Sequence, residues 1–368
     1  MDDDFGGVNS RTEGPRIDDQ IMASYQTNLA KDIGEMITPS AFSKVREENW
    51  EDMTVEQFKR ALEQSLADEN SDAAVEDARL EEAYQQDCLS RYGEVLQASE
   101  DVYQFLERGD FRNSIENVLA ANILLQNPSA MFDTLFGKSK NISERIQQVE
   151  DIKNIVLERF GEAIKTPEEM AQAQEELADI AEKAMRGMIV ENQNISVRDL
   201  RELHLMNQQF FLCKEQAKEE NYVVPIETGE GVTGVSLKII RGREKKGFVD
   251  IMFRGQLMGK VAASFEAKEE GISGMIATDD EQTRQLLSDN LATFVDFMNE
   301  NEPEPVDIRV AYIPDLSLEH FSTQSDVRRE KAGEVEKAEQ SPVQTTRLYH
   351  IAESFIKGIQ ELDNASLF

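Results

Sequence analysis

Residues 248–265 read Phe248-Val249-Asp250-Ile251-Met252-Phe253-Arg254-Gly255-Gln256-Leu257-Met258-Gly259-Lys260-Val261-Ala262-Ala263-Ser264-Phe265. Val249, Ile251 and Phe253 alternate with Asp250, Met252 and Arg254, the period of a strand with one apolar face. Gly255 and Gly259 interrupt the pattern, and it resumes at Val261, Ala263 and Phe265. Two glycines in such a run mark a kink with a tight backbone. A turn-rich patch, Lys268-Glu269-Glu270-Gly271, then leads to Ile272, Gly274 and Ile276.

A helix is expected over 278–299, with Thr278 or Asp279 as its cap and Leu286, Leu287, Leu291, Phe294, Val295 and Met298 as its apolar residues. Pro303 and Pro305 end it, and Val306, Ile308, Val310 and Tyr312 alternate once more. The fold class is therefore α+β: a helical N-terminal region, then a small β-sheet domain over 235–313 with one packed helix, with disordered termini and linkers.

Upstream, residues 221–234 hold three glycines and a proline and read as a linker into a sheet that starts at Val235, Leu237 and Ile239. Residues 41–220 read as successive helices. Thr54-Val55-Glu56-Gln57 is a capping-box pattern, followed by the stripe Val55, Phe58, Leu62, Leu66. The segment 111–126 is dense in apolar residues and stops at Pro128. Ile142, Ile146, Val149, Ile152, Val156 and Phe160 form another stripe. Thr166-Pro167-Glu168-Glu169 and Ser196-Val197-Arg198-Asp199 each open a further helix. Short connections suggest a bundle, and the heptads are too brief for a coiled coil.

Residues 1–40 are polar and aperiodic and read as a disordered arm; 314–343 reads as a flexible linker. Residues 344–368 hold an amphipathic tail helix over 345–362, with Leu348, Ile351, Phe355, Ile359 and Leu362. It either packs back on the sheet or stands free for a partner to bind.

The chain has 368 residues and a formal net charge of −33. Such a chain repels phosphate backbones and anionic lipid, so nucleic acid and membrane insertion are not expected. No apolar run approaches the roughly 20 residues a spanning helix needs. Met1-Asp2-Asp3-Asp4 lacks a basic leader, so no secretory signal is expected, and Cys88 and Cys213 are expected to stay reduced.

The segment Phe253-Arg254-Gly255-Gln256-Leu257-Met258-Gly259-Lys260-Val261, followed by hairpin, helix and strand, resembles the C-terminal domain of bacterial flagellar hook-length control proteins. That family usually has proline where Gly255 stands and leucine where Met258 stands; Gly259 matches. The resemblance covers about residues 235–313. It implies a regulator of flagellar assembly, cytoplasmic before export and then secreted through the flagellar type III apparatus. Its C-terminal domain would contact the export-gate switch protein and change export specificity, with hook or hook-cap proteins as further partners. Family ruler segments are unstructured, whereas residues 41–220 are strongly helix-capped. The alternative is a cytoplasmic helical adaptor or chaperone with a small docking domain.

Arg254, Gly255, Met258, Gly259 and Lys260 are the candidate partner-binding residues of the motif. Lys238, Arg241 and Arg243 extend them, because residues 235–254 carry a basic excess on an acidic chain. The competing reading of these cations is a solvated hairpin turn. No catalytic, cofactor-binding or metal-ligating set is expected. His204, His320 and His350 lack ligand spacing, and the glycines at 229, 231 and 234 lack the helix and lysine of a phosphate cradle. Arg108-Gly109-Asp110 reads as a helix end, and the acceptor-like triplets at Asn141 and Asn194 read as helix caps.

Overall fold

The computed structural model describes Thr54, Gln57 and residues 93–136, 149–191, 197–229, 231–242, 246–255, 258–299, 305–317 and 342–365. The expected disordered arm at 1–40, Trp50, Cys88, Asn141, Asn194 and most of the expected linker, at 318–341, lie outside the described residues. The chain divides into two compact units. One comprises Met1–Ser99 and Arg112–Leu119, the other Glu100–Phe111 and Ala120–Phe368.

In the first unit the capping box forms as read. Thr54 N–H donates to Gln57 Oε1 at 3.0 Å, and Gln57 N–H donates to Thr54 Oγ1 at 3.2 Å. Thr54 also bridges Ser114, whose hydroxyl caps a helix by accepting from Asn117 N–H at 3.2 Å.

The helices run α1 (Glu100–Arg108), α2 (Ile115–Gln126), α3 (Ala130–Phe136), α4 (Val149–Ala163), α5 (Pro167–Glu191) and α6 (Val197–Gln216). Pro167 occupies the first position of α5, and the Thr166 hydroxyl accepts from Glu169 N–H at 3.2 Å. Arg159 on α4 pairs with Glu176 on α5 at 2.7 Å, and Lys214 on α6 pairs with Glu175 on α5 at 2.8 Å.

Six strands follow as one sheet in sequence order: β1 (Asn221–Thr228), β2 (Gly231–Arg241), β3 (Gly247–Gly255), β4 (Gly259–Lys268), β5 (Gly271–Thr278) and β6 (Val306–Tyr312). The first five pair antiparallel, and β6 returns parallel to β5. A parallel partner needs a crossover. It is made by α7 (Glu281–Asp289) and α8 (Leu291–Asn299). The chain described ends in α9 (Pro342–Ala365).

The α+β class holds, and several expectations change in detail. Residues 221–228 and 231–234 are strand, not linker. Pro225 and the glycines conceal this in the sequence. Pro225 is tolerated because β1 is an edge strand, where one missing N–H costs little. Gly234 is required by a close approach: a Cβ there would lie 2.3 Å from the Pro128 carbonyl oxygen. Its N–H donates to the Ser129 hydroxyl at 2.9 Å, which ties the start of α3 to β2.

The helix expected over 278–299 is broken at Asn290, whose side-chain amide donates to the Leu286 carbonyl at 2.9 Å. Side-chain competition for backbone groups is how asparagine interrupts helices. The cap is neither Thr278 nor Asp279 but Asp280, which accepts from Thr283 N–H at 2.6 Å.

More than one helix packs on the sheet. One apolar core joins residues of α3 to α6, the inward strand residues such as Val249, Ile251 and Phe265, and α7 to α9. The helices from α3 onward and the sheet therefore form one folded body, not two domains joined at a linker. The tail helix packs back: Leu348, Tyr349, Ile351, Ala352 and Phe355 are fully buried. Phe355 sits between Phe265 of β4, tilted at 5.2 Å, and Phe294 of α8, stacked at 5.4 Å. Burying a side chain of that size contributes about 1.5–3 kcal/mol.

Candidate functional site

Gly255 and Gly259 face each other in register at the end of the β3–β4 pair. They close a hairpin; the chain reverses between them and does not kink along one strand. Both strands are central in the sheet, whose edges are β1 and β6. Gly259 has φ of +64°, the left-handed region that favours glycine. Met258 is buried in the main core and anchors the turn.

Lys260 sits at the centre of a polar knot. Its N–H donates to Asp279 Oδ1 at 2.9 Å, and its ammonium lies 3.7 Å from Asp279 Oδ2. The same ammonium donates to the Leu316 carbonyl at 3.0 Å. Leu316 thereby covers Met252, Ala262 and Ala277 on the sheet face opposite the main core. Beside it, Asp280 is held below the usual carboxylate range by the backbone N–H of Thr283. Lys260 is thus spent on fixing the turn that follows β6.

Arg254 is exposed beside it, directly across from Lys260. Ile313 reaches the same end of the sheet, where its N–H donates to the Thr278 carbonyl at 2.8 Å. Tyr312 is 45% exposed and Ile313 36% exposed. Arg254 and Tyr312 are therefore exposed at the same end of the sheet but on opposite faces and three strands apart, Arg254 with Met252 away from the main core and Tyr312 with Ile308 on the core side, and Ile313 is exposed just beyond β6. Sequence reading found Arg254 but missed Tyr312 and Ile313 as surface groups, because Tyr312 continues the inward alternation of β6.

The remaining basic candidates do not join this group. Lys238 is buried directly opposite Asp250, itself fully buried, in the β2–β3 ladder. Arg241 is largely buried, with its guanidinium 2.8 Å from Glu220 Oε1 and Nε donating to Glu220 Oε2 at 3.1 Å. Lys238 is buried and Arg241 is paired with Glu220, so neither offers an exposed charge to a docking face. Arg243 lies outside the described residues.

The Glu220–Arg241 pair belongs to a second cluster. The hydroxyls of Tyr222 and Tyr349 are 2.7 Å apart, and Tyr349 donates to Glu220 Oε2 at 3.3 Å. Burial pushes both tyrosines well above their ordinary pKa, so both stay protonated at neutral pH. Glu220 has φ of +57°, which turns its side chain toward β2 at the entry to the sheet. The cluster latches α9 to the sheet and holds no nucleophile. Cys213 is buried, and burial raises its thiol pKa. Among the described residues no group of three His, Cys, Asp or Glu side chains could hold a metal ion, and no helix is long and apolar enough to cross a membrane.

No protein-family model, curated protein or solved structure matches the chain.

Proposed function

We propose that this chain is a protein–protein docking factor of the flagellar hook-length control type, acting on the specificity of type III export. The observation that carries the reading is the order of elements around the glycine hairpin. Strands β3, β4 and β5, the helical segment α7–α8 and strand β6 follow one another in the order strand, hairpin, helix, strand that the resemblance implies. The docking surface is the end of the sheet where Tyr312 and Ile313 are exposed beyond β6, next to the turn that Lys260 and Asp279 hold, with Arg254 at the same end on the face away from the main core. Aromatic and arginine side chains on a rigid support suit an interface hot spot.

Deletion of the gene in a flagellated host should give overlong hooks and few filaments. Normal hooks and filaments in the deletion strain would refute the proposal. In a pull-down on the cytoplasmic domain of the export gate, Arg254→Glu and Tyr312→Ala should each lose binding in a folded chain.

One observation favours a second reading, a cytoplasmic adaptor. Helices α3 to α6 share the core of the sheet and form a compact body, not an extended measuring segment. An immunoblot of culture medium separates the two: export-dependent appearance supports the first reading, and retention in the cell supports the adaptor.

A further inference from the structure

The two edges of the sheet are treated differently. At β1 the buried Gln174 of α5 donates to the Val223 carbonyl at 2.7 Å, so a helix side chain covers that edge. At β6 no strand lies beyond, among the described residues. Ile272 N–H donates to the Pro305 carbonyl at 3.0 Å, and Ile313 N–H donates to the Thr278 carbonyl at 2.8 Å. The odd-numbered residues of β6 therefore turn their backbone groups toward β5. Val306, Ile308, Val310 and Tyr312 turn theirs outward.

The side chains of this edge form a pattern that complements itself. Asp307 and Arg309 flank Ile308 and project from the face opposite the main core. Within one chain their charged groups lie 3.7 Å apart, and the side chains are 71% and 82% exposed, so a second copy would exchange this pairing for two cross-strand pairs. Natural edges resist pairing by carrying charged side chains, bulges or proline, and a partner strand overcomes the charges only where it sets opposite signs against them. Here the two charges are opposite, and Pro305 stands outside the strand.

We propose that β6 pairs antiparallel with β6 of a second copy about a twofold axis through Ile308, joining two sheets into one. In that register Ile308 faces Ile308 of the second copy, and Val306 faces Val310. All of these are outward-bonding positions, so each facing pair exchanges two N–H···O bonds, about six in all. Asp307 faces Arg309 of the second copy, and Arg309 faces Asp307. These are the non-hydrogen-bonded positions, where facing side chains come closest and opposite charges attract most. Moving the axis to Val310 would set Arg309 against Ala311 and bring Pro314, which has no N–H, against Val306. The pattern thus selects both the occupant and the register. The interface is isologous, as twofold dimers require.

The test is sedimentation of the full chain over a concentration series at about 0.15 M salt, where the Debye length of about 8 Å screens the net charge of the copies. The expected result is a monomer–dimer equilibrium. Arg309→Asp sets aspartate against aspartate twice, and Asp307→Arg sets arginine against arginine twice. Each should weaken the dimer at least about tenfold. Mixing the two variants restores both opposite-charge pairs and should recover a mixed dimer of wild-type strength, which also shows that both variants fold. Arg254→Glu should leave the dimer unchanged, because Arg254 lies on β3, away from the β6 edge. A monomer at every concentration, a dimer indifferent to both substitutions, or a mixture that fails to recover would overturn the proposal.

Discussion

Removing the Tyr349 hydroxyl tests whether the tail helix is latched to the sheet. In Tyr349→Phe the ring and its packing remain, and two hydrogen bonds go, to Tyr222 at 2.7 Å and to Glu220 at 3.3 Å. Tyr222 is 2% exposed, so its hydroxyl loses a partner with little water to replace it. Leaving a buried polar group short of a partner costs about 1–3 kcal/mol, and about 2 kcal/mol is expected here. Tyr222→Phe should cost less, about 1 kcal/mol, because Tyr349 keeps Glu220. The double variant removes both hydroxyls and leaves Glu220 on Arg241. Its cost should fall below the sum of the singles, with a coupling of about 1 kcal/mol. Urea unfolding of the full chain, with the slope unchanged among variants, measures all three. Additive singles, or a Tyr349→Phe chain within about 0.3 kcal/mol of the parent, would show that the cluster is not a coupled latch.

The same tyrosines set an alkaline limit. Their folded pKa values are raised, so their contribution to stability is complete below the unfolded value of about 10 and declines as pH rises through it. Ultraviolet titration should show two of the seven tyrosines ionising only on unfolding. Gly259→Ala forces alanine to φ of +64° and sets its Cβ 2.9 Å from Asp279 Oδ1. A loss of about 2–3 kcal/mol in a denaturant titration is expected, combining the left-handed strain with the disturbed Lys260 hydrogen bond. Gly161→Ala serves as the contrast: nothing lies within 4 Å of its Cβ inside α4, and helix propensity predicts a gain of about 0.5–1 kcal/mol. Gly234→Ala should loosen α3 from β2, seen as faster exchange of the backbone amide at position 234, because its Cβ would meet the Pro128 carbonyl.

Much of the sheet is legible before any coordinates. Alternation at 249–253, 261–265 and 306–312 names the strands and, Tyr312 apart, their inward residues, and Lys268-Glu269-Glu270-Gly271 closes the β4–β5 hairpin, with Lys268 facing Gly271. The capping box at Thr54 and the Thr166-Pro167 helix start form as read. Strand β1 escapes notice because Pro225 and nearby glycines carry the marks of a loop, and only the edge position explains how a strand accepts them. The helix cap moves to Asp280 because Asp279 is drawn to Lys260 N–H and Thr278 is buried in the ladder.

The candidate site divides in the same way. Local chemistry in the chain determines where it must turn: the left-handed Gly259, the buried Met258, the charges flanking Ile308. Those are properties of neighbours in sequence, where backbone sterics and side-chain period act. Whether a cation faces solvent is a property of distant residues. Lys238 and Arg241 read as a basic surface until β3 brings Asp250 opposite one and the turn before β1 brings Glu220 onto the other. Exposure and charge pairing depend on which segments meet, and only the assembled sheet decides that.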